Sequence, residues 1–264
     1  MASGKGVVIV NDAEEAVEKA EEMLNGKFGQ ASKRILFEEY LKGEELSAIC
    51  LYDGNTLLPL EFARDHKKLL EGEKGPNTGG MGAYSPVKMD GDMENSVFNL
   101  LKNIENALKR ENIRYHGVLY VGMILTKDGA KVLEYNVRFG DPEAQALMVR
   151  LQNDLQELLT DVFNERLEKV ELRWGDPSNV LTIASEGYPF SPKKDVEIGN
   201  FHELAKELGV NVFGGAIKKK NGKYFSDGGR VLSVAAVGED AHERTLAFAK
   251  RLDFPSKVYR KDVF

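Results

Sequence analysis

The chain has 264 residues, 42% of them hydrophobic, which is enough for one large domain or two smaller ones with separate cores. Its formal net charge of −6 gives no electrostatic footprint for nucleic acid, and no apolar run approaches the ~18 residues of a membrane span. The single cysteine, Cys50, cannot form an internal disulfide, and its apolar neighbours predict a buried thiol and a reducing, cytoplasmic location.

Hydrophobic periodicity predicts strands and helices along the whole chain. Asp12 and Glu15 form a capping box for the first helix, TKDG at 126–129 predicts a tight hairpin, and DPSN at 176–179 marks a boundary. The expected strands are residues 6–10, 34–41, 46–54, 117–125, 130–137, 180–185, 212–217 and 230–237. The expected helices are residues 11–24, 94–109, 143–165, 201–208 and 240–251.

The glycine-rich segment EGEKGPNTGGMGAYSP (71–86) is predicted to be a loop, because its glycines and prolines do not suit a helix or a regular strand. It lacks the lysine and the spacing of a phosphate-binding P-loop, but its backbone N–H groups can hold a phosphate or carboxylate. On composition alone, a disordered connector is an equally good interpretation. Just upstream, RDHKK (64–68) adds cationic and proton-carrying groups, although His66 alone is more often a surface histidine. The residues expected to contact such an anion are Asn77, Thr78, Gly79, Gly80 and Gly82.

The strand expected at 130–137 carries a polar face, because successive side chains alternate between the two faces of a strand. Glu134, Asn136 and, if the strand continues, Arg138 share that face. Carboxylate and amide oxygens are hard ligands suited to Mg²⁺, and a guanidinium suits a phosphoryl or carboxylate group. An ordinary solvent-exposed face is the alternative for Glu134 and Asn136 taken alone.

The sequence RFGDPEAQ, which follows this strand, predicts a rigid turn into a helix. Gly140 and Pro142 form the turn, and Asp141 is expected to cap the helix. Glu143 adds another acidic side chain. Because loops beyond strand ends commonly bind ligands, the turn favours a binding site here.

A second acidic stretch, FEEYLKGEELSA (37–48), follows an apolar strand. Glu38 and Glu39 end that strand, which suits a backbone that contacts the edge of a ligand. The carboxylate of Glu45 can then meet a ribose. A surface hairpin of an acidic protein is the alternative interpretation.

Four stretches together resemble the phosphoribosylamine–glycine ligase family: PNTGGMGAYSP, LEYNVRFGDPEAQ, EEYLKGEELS and DGGRVLSV. The resemblance implies an α+β fold, with a partial ATP-grasp region over 1–168 and a C-terminal mixed α/β domain over 169–264. It implies an enzyme of de novo purine biosynthesis that joins glycine to 5-phosphoribosylamine through a glycyl phosphate, giving glycinamide ribonucleotide, ADP and phosphate. The implied cofactors are ATP and Mg²⁺ or Mn²⁺, and neither nucleic acid nor a membrane is an implied partner.

The resemblance also implies roles for individual residues. Arg138, which would stabilise the acyl phosphate, and Asp141 are the implied catalytic residues. Glu134 and Asn136 are the implied metal ligands. The implied nucleotide-binding residues are Glu38, Glu39, Leu41, Glu45 and Lys5. The implied substrate-binding residues are Asp65, His66, Lys67, Asn77, Thr78, Gly79, Gly80, Met81, Gly82 and Glu143.

The start of the chain departs from the family pattern. ASGKGVVIV (2–10) resembles the end of a longer segment that carries a nucleotide-binding lysine, and Lys5 lies in the remnant of its glycine-rich loop. The expectation is a C-terminal portion of the enzyme that lacks the N-terminal domain and is inactive or weakly active without that portion as a partner. The alternatives are another ATP-grasp carboxylate–amine ligase, a non-catalytic half that associates with an N-terminal polypeptide, and a fragment without a role of its own.

Overall fold

The computed structural model describes residues 7–264, which form two compact units. The first unit ends at Lys42, and the second comprises Gly43–Phe264. Over residues 7–264, every helix is too short or too polar to cross a lipid bilayer.

Within residues 7–42, the first unit contains one short α-helix, α1 (Ala13–Glu22). The Asp12 carboxylate accepts a hydrogen bond from the Glu15 N–H at 2.8 Å, and the Glu15 carboxylate accepts one from the Asn11 N–H at 3.0 Å. The predicted cap at Asp12 is therefore confirmed, with the return bond shifted to Asn11. A turn and the 3₁₀-helix Gly29–Lys33 follow α1.

The strands predicted at 6–10 and 34–41 are wrong for the residues that the structure describes. Residues 7–10 and 34–42 adopt no regular secondary structure. A strand forms only where a neighbouring strand supplies hydrogen-bond partners, and the pattern of one segment does not show whether that neighbour exists. Within residues 7–264, no strand pairs with either stretch.

The second unit alternates strands and helices. Its strands are β1 (Glu44–Tyr52), β2 (Leu57–Pro59), β3 (Arg64–Asp65), β4 (Lys68–Leu70), β5 (Lys74–Asn77), β6 (Gly82–Ser85), β7 (Gly117–Thr126), β8 (Gly129–Asn136), β9 (Ser178–Ser185), β10 (Glu197–Ile198), β11 (Asn211–Gly214), β12 (Ile217–Lys220), β13 (Lys223–Ser226), β14 (Arg230–Val237) and β15 (Lys257–Val258). Its α-helices are α2 (Gly91–Arg110), α3 (Glu143–Met148), α4 (Leu155–Phe163), α5 (Phe201–Leu208) and α6 (Ala241–Arg251), and Leu167–Lys169 is a 3₁₀-helix.

All pairings between these strands are antiparallel. One sheet has the order β2-β1-β7-β8, and a larger one has the order β11-β14-β9-β6-β3, with β15 also paired to β9. Two small sheets, β10-β13-β12 and β4-β5, complete the unit. The hairpin predicted around TKDG is confirmed, because the β7–β8 ladder closes at Thr126 and Gly129. The strand predicted at 212–217 is too long, since the chain leaves β11 at Gly214 and enters β12 at Ile217.

The four-stranded sheet is covered on both faces, which explains the almost uninterrupted burial of β1. Leu46, Ala48 and Cys50 pack with α2, and Cys50 is fully buried, as the sequence predicts. Ile49 and Leu51 pack on the opposite face with α3 and α4. Because side chains alternate along a strand, Ser47, which lies between Leu46 and Ala48, also faces α3, where the candidate site lies.

The larger sheet packs against α5 and α6 in the main C-terminal core. Its strand β6 comes from the glycine-rich segment and pairs with β9. Strands from both sides of the domain boundary predicted between 168 and 169 therefore lie in one sheet. That boundary stays a prediction.

The expectation that segment 71–86 contains no regular strand is wrong, since it supplies β5 and β6. Gly82, in β6, leaves no room for a side chain. A Cβ there would lie 2.5 Å from the Val180 carbonyl oxygen and within 2.9 Å of the Val263 side chain. Gly82 therefore allows segments of the chain to pack closely. A glycine-rich sequence alone does not show whether a glycine serves such packing or the close approach of a ligand.

The helix predicted over 143–165 is interrupted between α3 and α4. In the interruption, the Gln152 N–H donates to the Arg173 carbonyl oxygen at 3.0 Å instead of continuing the helix. The Asp154 carboxylate then accepts the Glu157 N–H at 3.0 Å and starts α4. Tertiary hydrogen bonds thus break an otherwise continuous apolar pattern.

Candidate functional site

The candidate site lies at the end of β8, on the face of the four-stranded sheet that carries Tyr120. Across the β7–β8 ladder, Glu134 pairs with Gly122 and Asn136 pairs with Tyr120. Directly opposed residues point to the same face, so the predicted shared face of Glu134 and Asn136 is confirmed. Gly122 makes room there, because a Cβ on it would lie 3.0 Å from Glu134 Cγ and 3.3 Å from Tyr120 Cε1. A bulge leaves Leu133 unpaired and breaks the predicted alternation before Glu134.

Arg138 does not extend this face. β8 ends at Asn136, and the exposed Arg138 guanidinium donates to the Phe139 carbonyl oxygen at 2.8 Å. Its place on the face was predicted only for a strand that continues to residue 138, and that condition is not met. Its catalytic role stays a prediction.

A lysine lies among the acidic groups of the site. The Lys67 ammonium is 2.5 Å from a carboxylate oxygen of Glu45, at the start of β1. Burial by itself lowers the pKa of Lys67. The carboxylates of Asp65, Glu45 and Glu134 outweigh burial and raise that pKa above its ordinary value, so Lys67 stays cationic. The structure therefore brings four residues from three predicted groups, Glu45, Asp65, Lys67 and Glu134, into one electrostatic cluster.

Asp65, in β3, is the most perturbed carboxyl of this cluster. Only 9% of the residue is exposed. Burial, and after it the charge of Glu143, raise the pKa of Asp65 to about 8, although the Lys67 ammonium acts in the opposite direction. A carboxyl group with such a pKa can take up or release a proton near neutral pH.

Glu143, at the start of α3, is a buried carboxylate held by two hydroxyl groups. The Ser47 hydroxyl donates to Glu143 Oε1 at 2.9 Å, and the Tyr120 hydroxyl donates to the same oxygen at 3.0 Å. Burial, together with the charges of Glu143 and Asp65, raises the pKa of Tyr120. Gly140 allows this arrangement, since a Cβ there would lie 2.5 Å from Glu143 Oε2.

Tyr120→Phe is expected to lower the free energy of unfolding by about 1–3 kcal/mol, because the buried Glu143 carboxylate loses one of its two hydroxyl donors. The matched control is Tyr115→Phe, since the buried Tyr115 hydroxyl has no hydrogen-bond partner within residues 7–264. Its removal is expected to change stability by less than about 0.5 kcal/mol. Urea unfolding of the two variants measures the difference, and equal losses would contradict the role assigned to the Tyr120 hydroxyl.

The glycine-rich loop is anchored to the backbone of Lys67. The Thr78 N–H and hydroxyl both donate to the Lys67 carbonyl oxygen, at 2.7 and 2.8 Å, and the Gly80 N–H donates to the Thr78 hydroxyl at 3.1 Å. Asn77 is exposed at the end of β5. The Met81 side chain is fully buried in the core, so it does not line an open surface.

Asp141 does not cap α3, which begins after Pro142 without a side-chain cap. Its carboxylate instead accepts a hydrogen bond from the Gln145 side chain at 3.1 Å and lies 3.3 Å from the Arg230 guanidinium. The cap prediction is therefore wrong, because the side chains of Gln145 and the distant Arg230 satisfy the carboxylate. The loop packs on this turn through Gly80, where a Cβ would lie 2.5 Å from Pro142 Cδ.

His66 does not share the partners of Asp65 and Lys67. Its Nδ1 is 2.9 Å from the Glu73 carboxylate, and that carboxylate also pairs with the buried Arg260 guanidinium at 2.7 Å. Burial lowers the pKa of His66. Its Nε2 is buried without a hydrogen-bond partner in residues 7–264.

Four side chains of this region were missed by the sequence analysis: Ser47, Tyr120, Tyr188 and Arg230. Ser47 carries a usable signal, as a polar residue inside an apolar strand whose side chain must find a partner. Arg230 belongs to a stretch noted only for resemblance, and no local pattern shows what Tyr188 or Arg230 contacts.

The predicted nucleotide-binding residues of the first unit are not tested by the described contacts. Glu38 and Glu39 are exposed and Leu41 is half-buried, in a stretch without regular structure. Lys5 lies outside the described residues. These four assignments stay predictions.

The donor set at the end of β8 fits a divalent cation that prefers oxygen ligands. Glu134 and Asn136 offer one carboxylate and one amide oxygen on one face, and Mg²⁺ typically completes its shell with phosphate and water. Among residues 7–264, no cluster of three or more His, Cys, Asp or Glu side chains could hold a metal ion. The site therefore suits a metal shared with a phosphorylated ligand rather than a closed protein cage.

Two family models match most of this chain. The model for Phosphoribosylglycinamide synthetase, ATP-grasp (A) domain, matches residues 1–144, and that for Phosphoribosylglycinamide synthetase, C domain, matches residues 178–263. The trifunctional purine biosynthetic protein adenosine-3 of Gallus gallus is 42% identical, over 100% of this chain and 27% of that protein. The phosphoribosylamine–glycine ligase of Brucella melitensis is 39% identical, over 100% of this chain and 63% of that ligase. The chain thus spans less than two thirds of the length of these curated relatives.

Two solved structures extend the comparison. A phosphoribosylamine–glycine ligase from Thermotoga maritima superposes with a TM-score of 0.88 at 31% identity, covering 100% of this chain and 67% of that chain. The biotin carboxylase domain of the Hydrogenobacter thermophilus 2-oxoglutarate carboxylase, in complex with MgADP, ADP and bicarbonate, superposes with a TM-score of 0.68 at 17% identity, covering 96% of this chain and 55% of that one. The second likeness shows a shared fold alone.

Proposed function

This chain belongs to the phosphoribosylglycinamide synthetase family, with its α+β ATP-grasp fold, and we propose on that premise that it carries the metal-binding and substrate-binding parts of a phosphoribosylamine–glycine ligase. The observation that carries the proposal is the convergence of Glu134, Asn136, Lys67 and Asp65 at the exit of β8. The reaction joins glycine to 5-phosphoribosylamine and converts ATP to ADP and phosphate. Residues 1–168 would form an ATP-grasp region and 169–264 the C-terminal domain.

The proposed reaction has two steps. A carboxylate oxygen of glycine attacks the γ-phosphorus of ATP, which releases ADP and forms glycyl phosphate. The amine of 5-phosphoribosylamine then attacks the carbonyl carbon, which releases phosphate and requires the loss of one amine proton. Both steps pass through anionic transition states that a cationic, preorganised site stabilises.

The residues at the end of β8 would supply the positive charge that the anionic transition states require. Glu134 and Asn136 would hold a divalent cation, Mg²⁺ or Mn²⁺, which when bound supplies charge neutralisation for the phosphoryl oxygens. Lys67 remains protonated among the surrounding carboxylates and provides a second positive charge. Arg138 is exposed two residues beyond Asn136, and its guanidinium would stabilise the acyl phosphate.

The second step also requires a group that accepts the amine proton, and Asp65 suits this role. Its pKa of about 8 allows it to be ionised in part of the molecules at neutral pH and to hold a proton once it has accepted one. Burial and, after it, the charge of Glu143 keep the pKa of Asp65 high, and Glu143 is itself fixed by Ser47 and Tyr120. Asn77, Thr78 and the loop segment that carries Gly79 and Gly80 would form the adjoining substrate wall.

A second candidate is a half that becomes catalytic only in association with an N-terminal polypeptide. The first unit favours it, because Val7, Ile9, Leu36 and Phe37 are 62–78% exposed. Large apolar side chains exposed to this extent are typical of surfaces that other chains cover. Glu38, Glu39 and Leu41 lie in the same stretch and would complete an adenine pocket only in that association.

The test is ADP formation with Mg²⁺, ATP, glycine and 5-phosphoribosylamine generated in situ, with glycine omitted as the control. Glycine-dependent ADP from this chain alone supports the ligase and contradicts the second candidate. ADP that appears only after addition of the N-terminal part of a family ligase supports the second candidate. No glycine-dependent ADP in either mixture contradicts both.

A further inference from the structure

Two side chains from the C-terminal part of the chain, Arg230 and Tyr188, contact the glycine-rich loop. Arg230 Nη1 donates to the Gly79 carbonyl oxygen at 2.7 Å and to the Asp141 carbonyl oxygen at 2.6 Å. The Gly79 N–H donates to the Tyr188 hydroxyl at 2.9 Å. Both backbone groups of Gly79 are thus held by residues more than a hundred positions away in the chain.

The chain makes room for this contact with glycines. A Cβ on Gly229 would lie 2.2 Å from Cδ2 of the Tyr188 ring, so only glycine lets that ring pack beside the start of β14. A Cβ on Gly79 would lie 3.0 Å from the Arg230 guanidinium carbon. The backbone that carries Arg230 is fixed, because its carbonyl oxygen accepts the Ala216 N–H at 2.8 Å.

We propose that Arg230 and Tyr188 are positioning residues that hold the loop 77–80 against the turn 140–142 and thereby fix the substrate wall of the active site. A continuous set of hydrogen bonds supports this assignment. Arg230 holds Gly79, and Thr78 donates twice to the Lys67 carbonyl oxygen. The position of the loop is therefore coupled to the lysine of the site. That the loop 77–80 binds glycine or 5-phosphoribosylamine rests on the proposed function.

The contact is suited to positioning rather than to general stability. The Arg230 and Asp141 side chains are 26% and 56% exposed, and partly exposed ion pairs contribute little to folding. The strong bonds go instead to carbonyl oxygens of two separate loops. Their loss is expected to loosen the loop locally and to leave the sheets intact.

The test compares Arg230→Ala, Arg230→Lys and Tyr188→Phe by amide hydrogen exchange. Arg230→Ala is expected to speed exchange in peptides covering 77–82 about tenfold, and Tyr188→Phe about threefold, since each removes bonds to Gly79. Peptides from β9 should exchange as in the wild type. The matched control is Arg251→Ala, which removes an exposed arginine paired with Glu207 and should leave 77–82 unchanged.

The kinetic arm separates positioning from a merely structural role. Arg230→Ala is expected to raise KM for glycine or 5-phosphoribosylamine about tenfold with a smaller change in kcat, because the wall binds substrate before chemistry begins. Arg230→Lys, which keeps the charge but has no planar fork, should recover part of that loss.

The outcomes distinguish this proposal from the proposed function. Unchanged exchange in 77–82 for both Arg230→Ala and Tyr188→Phe overturns the positioning role, whether or not the protein makes ADP. Faster exchange throughout β9 also overturns it, since the effect is then global. Faster exchange confined to 77–82 supports the role even if the ligase assay fails, and an unaltered KM in an active enzyme shows that this loop is not the substrate wall.

Discussion

Glu134→Gln is expected to lower kcat for glycine-dependent ADP formation about a thousandfold, which corresponds to about 4 kcal/mol of transition-state stabilisation. The substitution keeps the shape of the side chain and removes the charge that would hold the divalent cation next to the phosphoryl groups. Glu134 is exposed at the end of β8, so the free energy of unfolding should change little. The measurement is kcat as a function of Mg²⁺ concentration, in the mixture that gives ADP with the wild type.

Metal binding provides the independent check on Glu134. Electron paramagnetic resonance of Mn²⁺ in the presence of ATP should show at least about tenfold weaker binding to the variant. Glu203→Gln, in the first turn of α5, is the matched control and should bind Mn²⁺ and turn over like the wild type. Wild-type kcat and Mn²⁺ affinity in Glu134→Gln would rule out Glu134 as a metal ligand.

Asp65→Asn is expected to stabilise the fold and to remove most of the ligase activity. Asparagine resembles the protonated carboxyl, so the variant avoids the burial of a charge but can no longer accept a proton. We expect kcat to fall about a hundredfold or more, the range typical of a lost general base. Above pH 8, the free energy of unfolding should exceed that of the wild type by about 1–3 kcal/mol.

The pH dependence of this gain follows from the raised pKa of Asp65. The folded state binds the Asp65 proton more tightly than the unfolded chain does, because the pKa rises from 3.8 to about 8 on folding. The contribution of the protonated group to stability is fully present below pH 3.8 and is lost as the pH rises through about 8. Wild type and Asp65→Asn should therefore have similar stability near pH 4 and differ most above pH 8.

Thermal unfolding from pH 4 to pH 9 measures the difference between the two proteins. Asp128→Asn, at the exposed turn between β7 and β8, is the control and should follow the wild type at every pH. A constant offset between wild type and Asp65→Asn across this range would show that the Asp65 carboxyl does not titrate near pH 8 in the folded protein.

The polar face of β8 could be predicted because it depends on neighbours in sequence. Alternation alone places Glu134 and Asn136 on one side of a strand, and their chemistry then indicates a metal. The same argument includes Arg138 only if the strand continues, and alternation does not show that β8 ends at Asn136. The prediction of one continuous helix over 143–165 is wrong for a related reason, because hydrogen bonds with Arg173 and Gly175 interrupt it.

The buried part of the site could not be predicted because it depends on contacts between distant segments. Asp65, Glu143 and Tyr120 are separated by many residues, and no local pattern shows that burial brings their charges together. The raised pKa of Asp65 exists only in that environment. Resemblance alone therefore predicts Asp65 and Glu143 as substrate-binding residues, whereas the physical reason for the proton-accepting role proposed for Asp65 depends on the fold.

The sequence by itself determined the family, the antiparallel hairpin around TKDG, the polar face of β8 and the buried state of Cys50, since each depends on local order, spacing or composition. Only the tertiary structure decided which glycines of 71–86 serve packing, which partners hold Asp141 and His66, and how Arg230 reaches Gly79. These features are set by the close approach of segments far apart in the chain. Burial and charge act through space, so their effects on a side chain appear only once the fold has chosen its neighbours.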